Sequence, residues 1–241
     1  MEHYFKSNIA GIPCIQINSG IESNGIVLLY HGWISSIDDY EFFGSLLSSW
    51  GYTVIIPELP YHGTRGKLND FDKLELQKSF WKVVVQAVDE AKQIISELND
   101  NIVAVIGNSA GGFIAGGVFA NNVDIQSAIV INGSCAWVKF EEHICEQERR
   151  EPWISIDRDF IRKFDPITSL ECMRDRSMLL LHGTEDTTIP INSQRHFMQI
   201  IREQNMLNSV KWVEYAKVNH HITLRMLEDM KRWLLEQSDI E

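Results

Sequence analysis

Ser109 stands in the pentapeptide "GNSAG", with Gly107 two residues before it and Gly111 two after, between an apolar run and a segment of helical period. A serine hydroxyl becomes a useful nucleophile only when a neighbouring base takes its proton during attack. Holding that hydroxyl at a sharp strand-to-helix turn requires flanking residues without bulk, so that the two elements can approach. Other glycine-rich turns fit less well: a dinucleotide fingerprint needs glycine at position 109, and a phosphate-binding loop needs Gly-Lys followed by Ser or Thr. Taken alone, the serine could equally cap a helix. Two later segments supply the remaining parts of acyl-transfer chemistry. "HGTEDTTIP" follows an apolar strand and offers Glu185 and Asp186 as acids, and "NHHIT", between the last strand and the last helix, offers His220 and His221 as bases. Earlier, "LLYHGWISS" leaves an apolar strand where a backbone N–H can meet an oxyanion.

Such residues must be brought together by the elements between them. Short aliphatic and β-branched runs alternate with segments of helical period, the pattern of parallel strands joined by crossover helices. The strands are "IPCIQI", "GIVLLYH", "YTVIIP", "NIVAVIG", "QSAIVING", "SMLLLHG" and "VKWVEYA". Helices are predicted over 39–50, 71–98, 111–120, 191–204 and 223–236. In the second of these, Phe80, Val84, Ala87, Ala91, Ile94 and Leu98 recur every three or four residues. The expected fold is α/β, a mostly parallel central sheet with helices on both faces, in one domain over 1–241. From 134 to about 167 the alternation stops, and the charged, aromatic sequence reads as a short cap insertion. Its aromatic residues, Trp137, Phe140, Trp153, Phe160 and Phe164, are candidates for an apolar substrate pocket or for cap-to-core packing.

With 241 residues, 44% hydrophobic and 23% charged, the composition is that of an ordinary globular protein. A net charge of -11 argues against nucleic acid or an anionic membrane as partner. The N-terminal stretch has no basic segment followed by an apolar core, and no run is long enough to span a bilayer, so a cytoplasmic location is expected. The four cysteines form no CxxC pair and read as reduced thiols. "EEHICE" carries metal-capable side chains without a second ligand cluster, so neither metal nor organic cofactor is expected. Self-association into a homo-oligomer is compatible with the sequence.

"HGW", "PELPYHGTRG", "GNSAGG", "HGTEDTTIP" and "NHHIT" together resemble the α/β-hydrolase family, and most closely the small bacterial esterases of its prolyl-oligopeptidase-like branch. The resemblance covers nearly the whole chain. It implies a nucleophile elbow at Ser109 and a catalytic triad of Ser109, Asp186 and His220, leaving Glu185 and His221 as neighbours. It also implies an oxyanion hole made by the backbone N–H groups of Trp33 and Ala110. His31, His62 and His182, each before a glycine where the chain leaves a strand or turns, read as structural residues that hydrogen-bond loop backbone around the site. His62 and Arg65 in "YHGTRG" are alternative candidates to contact substrate or fix the oxyanion loop. The implied activity is hydrolysis of small esters through an acyl-enzyme, a carboxylesterase. A peptidase or thioesterase would use the same triad, and a non-catalytic small-molecule binder would have no reason to keep it. A chain without an extra N-terminal domain would lack the gating propeller of large oligopeptidases, which favours esters.

Overall fold

A computed structural model gives the fold and describes residues 3–66, 73–98, 102–149 and 158–238. Among these, eight strands form one sheet: β1 (Tyr4–Ile9), β2 (Ile12–Ile17), β3 (Ile26–Tyr30), β4 (Thr53–Pro57), β5 (Ile102–Asn108), β6 (Ser127–Ile131), β7 (Ser177–Gly183) and β8 (Val210–Tyr215). Their spatial order is β1-β2-β4-β3-β5-β6-β7-β8. The strands from β3 onward pair in parallel, while β1 and β2 are antiparallel additions at one edge. All seven strands read from the sequence are present. The eighth, β1, has only a weak sequence signature because it is a polar edge strand, "YFKSNI", turned back through Ala10 and Gly11 at φ 53° and 78°. Two successive positive φ values match the right-handed twist of a tight hairpin.

Alternate residues of the inner strands enter opposite faces. Leu28, Val105, Val130 and Leu180 join one buried cluster, while Leu29, Ile106, Ile131 and Leu181 join the other. The first face is covered by α2 (Lys73–Leu98), α3 (Ala110–Asn121) and α7 (Asn192–Glu203), the second by α1 (Glu41–Ser49) and α8 (Leu224–Ser238). Helix α3, "AGGFIAGGVFAN", is buried from Ala110 to Ala120, so its apolar residues surround it where an amphipathic helix would show a stripe. Its small residues let it lie close against β5 and β6.

The region read as a cap contributes α4 (Trp137–Glu148) and α5 (Arg158–Phe164), followed by a short α6 (Leu170–Met173). Asp165, 1% exposed, ties α4 down by accepting the Val138 N–H at 2.9 Å. Burial pushes its carboxyl up to about 6, against the pull of the Val138, Trp137 and Ile167 N–H groups. No described helix is long and apolar enough to cross a membrane.

The strand order places the site. The chain runs from β3 to β4 on one side, and α2 then carries it back to β5 on the other side of β3. Loops leaving β3 and β5 therefore diverge and open a crevice beyond the carboxyl ends of these strands. "HGW" and "GNSAG" are those two loops.

Candidate active site

The elbow's sequence explains its geometry. Ser109 is held at φ 58°, ψ -123°, a conformation that a non-glycine residue adopts only when its surroundings enforce it. The enforcement is visible on both flanks. A Cβ on Gly107 would run into the carbonyl of Gly111, and one on Gly111 would run into the carbonyl of Tyr30 on β3. The Ser109 N–H donates to Ile131 O at 2.9 Å, joining the turn to the end of β6.

A continuous hydrogen-bonded line runs from this serine. His220 Nε2 lies 2.9 Å from Ser109 Oγ, and His220 Nδ1 lies 2.7 Å from Asp186 Oδ2. A carboxylate can only accept, so Nδ1 carries the proton and Nε2 presents its lone pair to the serine hydroxyl. The imidazole is thus in the tautomer that can remove the serine proton. The Asp186 side chain is fully buried, while that of His220 is 20% exposed at the mouth.

Burial alone would raise the Asp186 carboxyl. Hydrogen bonds from His182, His220 and the Ile189 N–H outweigh it and hold the group well below the usual carboxylate range. The Thr188 and Ile189 N–H groups both donate to Oδ1, at 2.9 and 2.8 Å. His182 Nε2 gives its short bond, 2.8 Å, to Ile189 O and approaches Asp186 Oδ2 only at 3.4 Å, so the backbone amides and His220 are its firmer partners. Glu185 and His221, the alternatives one position away, are both exposed.

Two asparagines without a catalytic signature in the sequence lock the loops. Asn219 Oδ1 accepts the N–H of Thr187 at 3.0 Å and that of His220 at 2.7 Å, coupling the acid loop to the histidine loop. Asn132 donates to His221 O and accepts from the Gly183 N–H, both at 3.2 Å. Asparagine at a strand end reads as a generic turn former, and only the spatial meeting of three loops reveals this use.

Ala110 opens α3, so its N–H has no partner within the helix and lies at the positive end of the helix dipole. Gly32 backs onto the nucleophile: a Cβ there would sit 3.7 Å from Ser109 Cβ. Trp33 is therefore in the loop beside the serine, and its indole lines an adjoining cavity of about 220 Å³. Ser109 also lines that cavity, with Phe80 and Trp81 from α2, Phe140 and Ile144 from α4, and Ile189 from the acid loop.

The aromatic residues of the cap divide. Phe140 lines the cavity, but Trp137 does not, which corrects the expectation that it would be a substrate contact. It is fully buried, donates its Nε1–H to Ser134 O at 3.0 Å and lies against Gly117 of α3 and the ring of Trp81. An indole just after a strand end was drawn into the core by the room that Gly117 leaves. Phe164 is buried and Phe160 is 46% exposed. Trp153 lies outside the described residues. The other pocket aromatics, Phe80 and Trp81, sit on α2, where the helical period marks Phe80 as core, and only the nearby elbow turns that core surface into a pocket wall. His62 does not line the cavity and bonds to loop backbone, as the structural reading of it expects, and Arg65 pairs with Glu90 of α2 at 2.6 Å. Among the described residues no group of three or more His, Cys, Asp or Glu side chains is arranged to hold a metal ion.

Comparison with known proteins agrees with this fold. The chain is 27% identical to Esterase YjfP of Escherichia coli over 215 residues, 84% of each chain. Its fold is similar to that of TT1662 from Thermus thermophilus, with a TM-score of 0.81, 16% identity and 99% of each chain covered. It is also similar to that of Pyrococcus horikoshii acylaminoacyl peptidase, with a TM-score of 0.73 and 15% identity over 98% of this chain but 41% of that one. The family described as "Prolyl oligopeptidase family" matches residues 40–240. With that match over most of its length, around a serine elbow in a mostly parallel sheet, the chain belongs to the prolyl oligopeptidase family of α/β-hydrolases.

Proposed function

We propose that the chain is a serine carboxylesterase that cleaves small esters through an acyl-enzyme at Ser109. The observation that carries this reading is the unbroken line Ser109–His220–Asp186, with the histidine tautomer set by the acid. In the first half-reaction His220 Nε2 takes the Ser109 proton as Oγ attacks the ester carbonyl. The tetrahedral oxyanion is received by the N–H groups of Ala110 and Trp33, and His220 then protonates the departing alcohol. Water, deprotonated by the same imidazole, releases the acid in the second half. Asp186 stabilises the imidazolium in both halves.

The 220 Å³ aromatic cavity beside Ser109 suits a short acyl or aryl group. Esters are favoured over peptides because the relative aligned over 84% of both chains is named an esterase. In this reading the whole chain acts as one domain, with residues 134–167 as the cap, in the cytoplasm. The test is turnover of matched p-nitrophenyl esters, thioesters and anilides by the wild type and by Ser109→Ala. Ester hydrolysis that vanishes in the variant supports the reading. Turnover that survives Ser109→Ala, or that is confined to anilides, overturns it.

A further inference from the structure

We propose that His31 and His62 form a reciprocal clasp that orients the Trp33 N–H, making both histidines positioning residues for the oxyanion hole. The proposal rests on the esterase reading above and on loop geometry that the reaction itself does not explain.

Strands β3 and β4 are parallel neighbours, so the loops that leave them run side by side. Each loop carries one of the histidines, and each ring accepts a backbone N–H from the other loop. Leu59 N–H donates to His31 Nε2 and Ile34 N–H donates to His62 Nε2, both at 3.2 Å. The other ring nitrogens bond within their own loops, His31 Nδ1 to Gly32 O at 2.9 Å and His62 Nδ1 to Pro60 O at 2.8 Å. A carbonyl only accepts, so Nδ1 is protonated in both rings and both Nε2 atoms keep a lone pair. The rings meet edge to face with centroids 5.4 Å apart, and both are buried. Burial takes His31 down to about 4, which keeps its ring neutral at ordinary pH.

The consequence follows from peptide planarity. Gly32 O and the Trp33 N–H belong to the same trans peptide, so gripping the oxygen from one side aims the N–H to the other. The next peptide carries the Ile34 N–H, which His62 grips. Both planes flanking Trp33 are therefore pinned. Ile34 needs this hold: it sits at φ 55°, a costly conformation for a β-branched residue, and its side chain is 55% exposed, so little packing secures it.

The β4 loop is stiff enough to serve as an anchor. Arg65 forms a two-pronged pair with Glu90 on α2 and also donates to Glu58 O. The Glu58 carboxylate in turn accepts the Thr64 N–H and hydroxyl.

The clasp is tested with His62→Ala and His62→Gln, the latter able to accept the Ile34 N–H through its amide oxygen. Three readouts are taken: kcat and KM on p-nitrophenyl acetate, inhibition by an alkyl trifluoromethyl ketone that forms a tetrahedral adduct, and amide hydrogen exchange at Ile34. His62→Ala should lower kcat by about 10- to 100-fold with little change in KM. It should weaken the ketone by a similar factor and lose protection at Ile34, while His62→Gln recovers most of each. A folded His62→Ala with unchanged kcat and ketone affinity overturns the proposal, as does a loss confined to KM. If His62→Ala does not fold, His62→Gln decides: kcat and Ile34 protection must be kept or lost together, and their separation overturns the clasp. A wild type without esterase activity would count against the functional reading, while protection at Ile34 would still test the clasp.

Discussion

Replacing Trp137 with alanine should damage the fold and leave substrate choice alone, whereas replacing Phe140, which also packs in the core, should in addition change substrate choice. Trp137 is fully buried against α3, and Phe140, 7% exposed, lines the cavity beside Ser109. Truncating a buried tryptophan costs about 3–5 kcal/mol, and the Ser134 carbonyl also loses its indole donor, so Trp137→Ala should cost about 4 kcal/mol or more. Since domains carry about 5–15 kcal/mol in total, the variant is weakened but measurable at 25 °C. Urea unfolding followed by circular dichroism gives the loss. A series of p-nitrophenyl esters from acetate to octanoate gives the substrate profile. For Trp137→Ala the profile should keep its optimum. For Phe140→Ala the optimum should move to longer chains, gaining about fourfold in kcat/KM per accommodated methylene, which corresponds to about 0.8 kcal/mol each. The reasoning is refuted if Trp137→Ala shifts the preferred chain length while costing less than about 1 kcal/mol.

Asp186→Asn should lower kcat by about 10⁴-fold in steady-state assays while KM changes little, because the amide no longer dictates the Nδ1–H tautomer. The depressed Asp186 carboxyl also stabilises the fold above its unfolded value of about 4, and that contribution is lost as pH falls through the lower folded value. Acid unfolding should accordingly be less steep in the Asn variant. His220→Ala should lower kcat at least about 10³-fold, and the exposed His221→Ala only a few-fold, as measured on one ester. Asp165 has the opposite linkage: its folded value is raised to about 6, so its contribution is full below about 4 and is lost as pH rises through 6. The stability of wild type relative to Asp165→Asn should therefore fall between pH 4 and 7 in denaturant titrations.

The parts of the site that chemistry constrains locally were legible in the sequence. Two glycines around a serine between strand and helix describe an elbow because backbone carbonyls occupy the space that side chains there would need. The apolar runs of β3 to β7 announced strands covered on both faces. What was not legible depends on neighbours distant in the chain. β1 is an edge strand with one solvated side, so its alternation is diluted by Lys6, Ser7 and Asn8. Phe80 carries a helical core period and Trp81 follows it, and only the divergence of loops at the switch between β3 and β5 exposes them beside Ser109. The same blindness left Trp137 undecided between pocket and cap-to-core packing, because its burial depends on Gly117, twenty residues earlier in the chain. Asn219 lay beside the paired histidines without revealing that its side chain would reach Thr187 on another loop.

The central claim is that Ser109 is made nucleophilic by His220. It is tested most directly by reacting the folded protein with a fluorophosphonate and locating the adduct by peptide mass spectrometry. One adduct per chain should form, on the peptide containing Ser109, and its rate should fall at least about 10²-fold in His220→Ala but not in His221→Ala. A folded protein that stays unlabelled, or an adduct at Ser109 whose rate is indifferent to His220, would contradict the account.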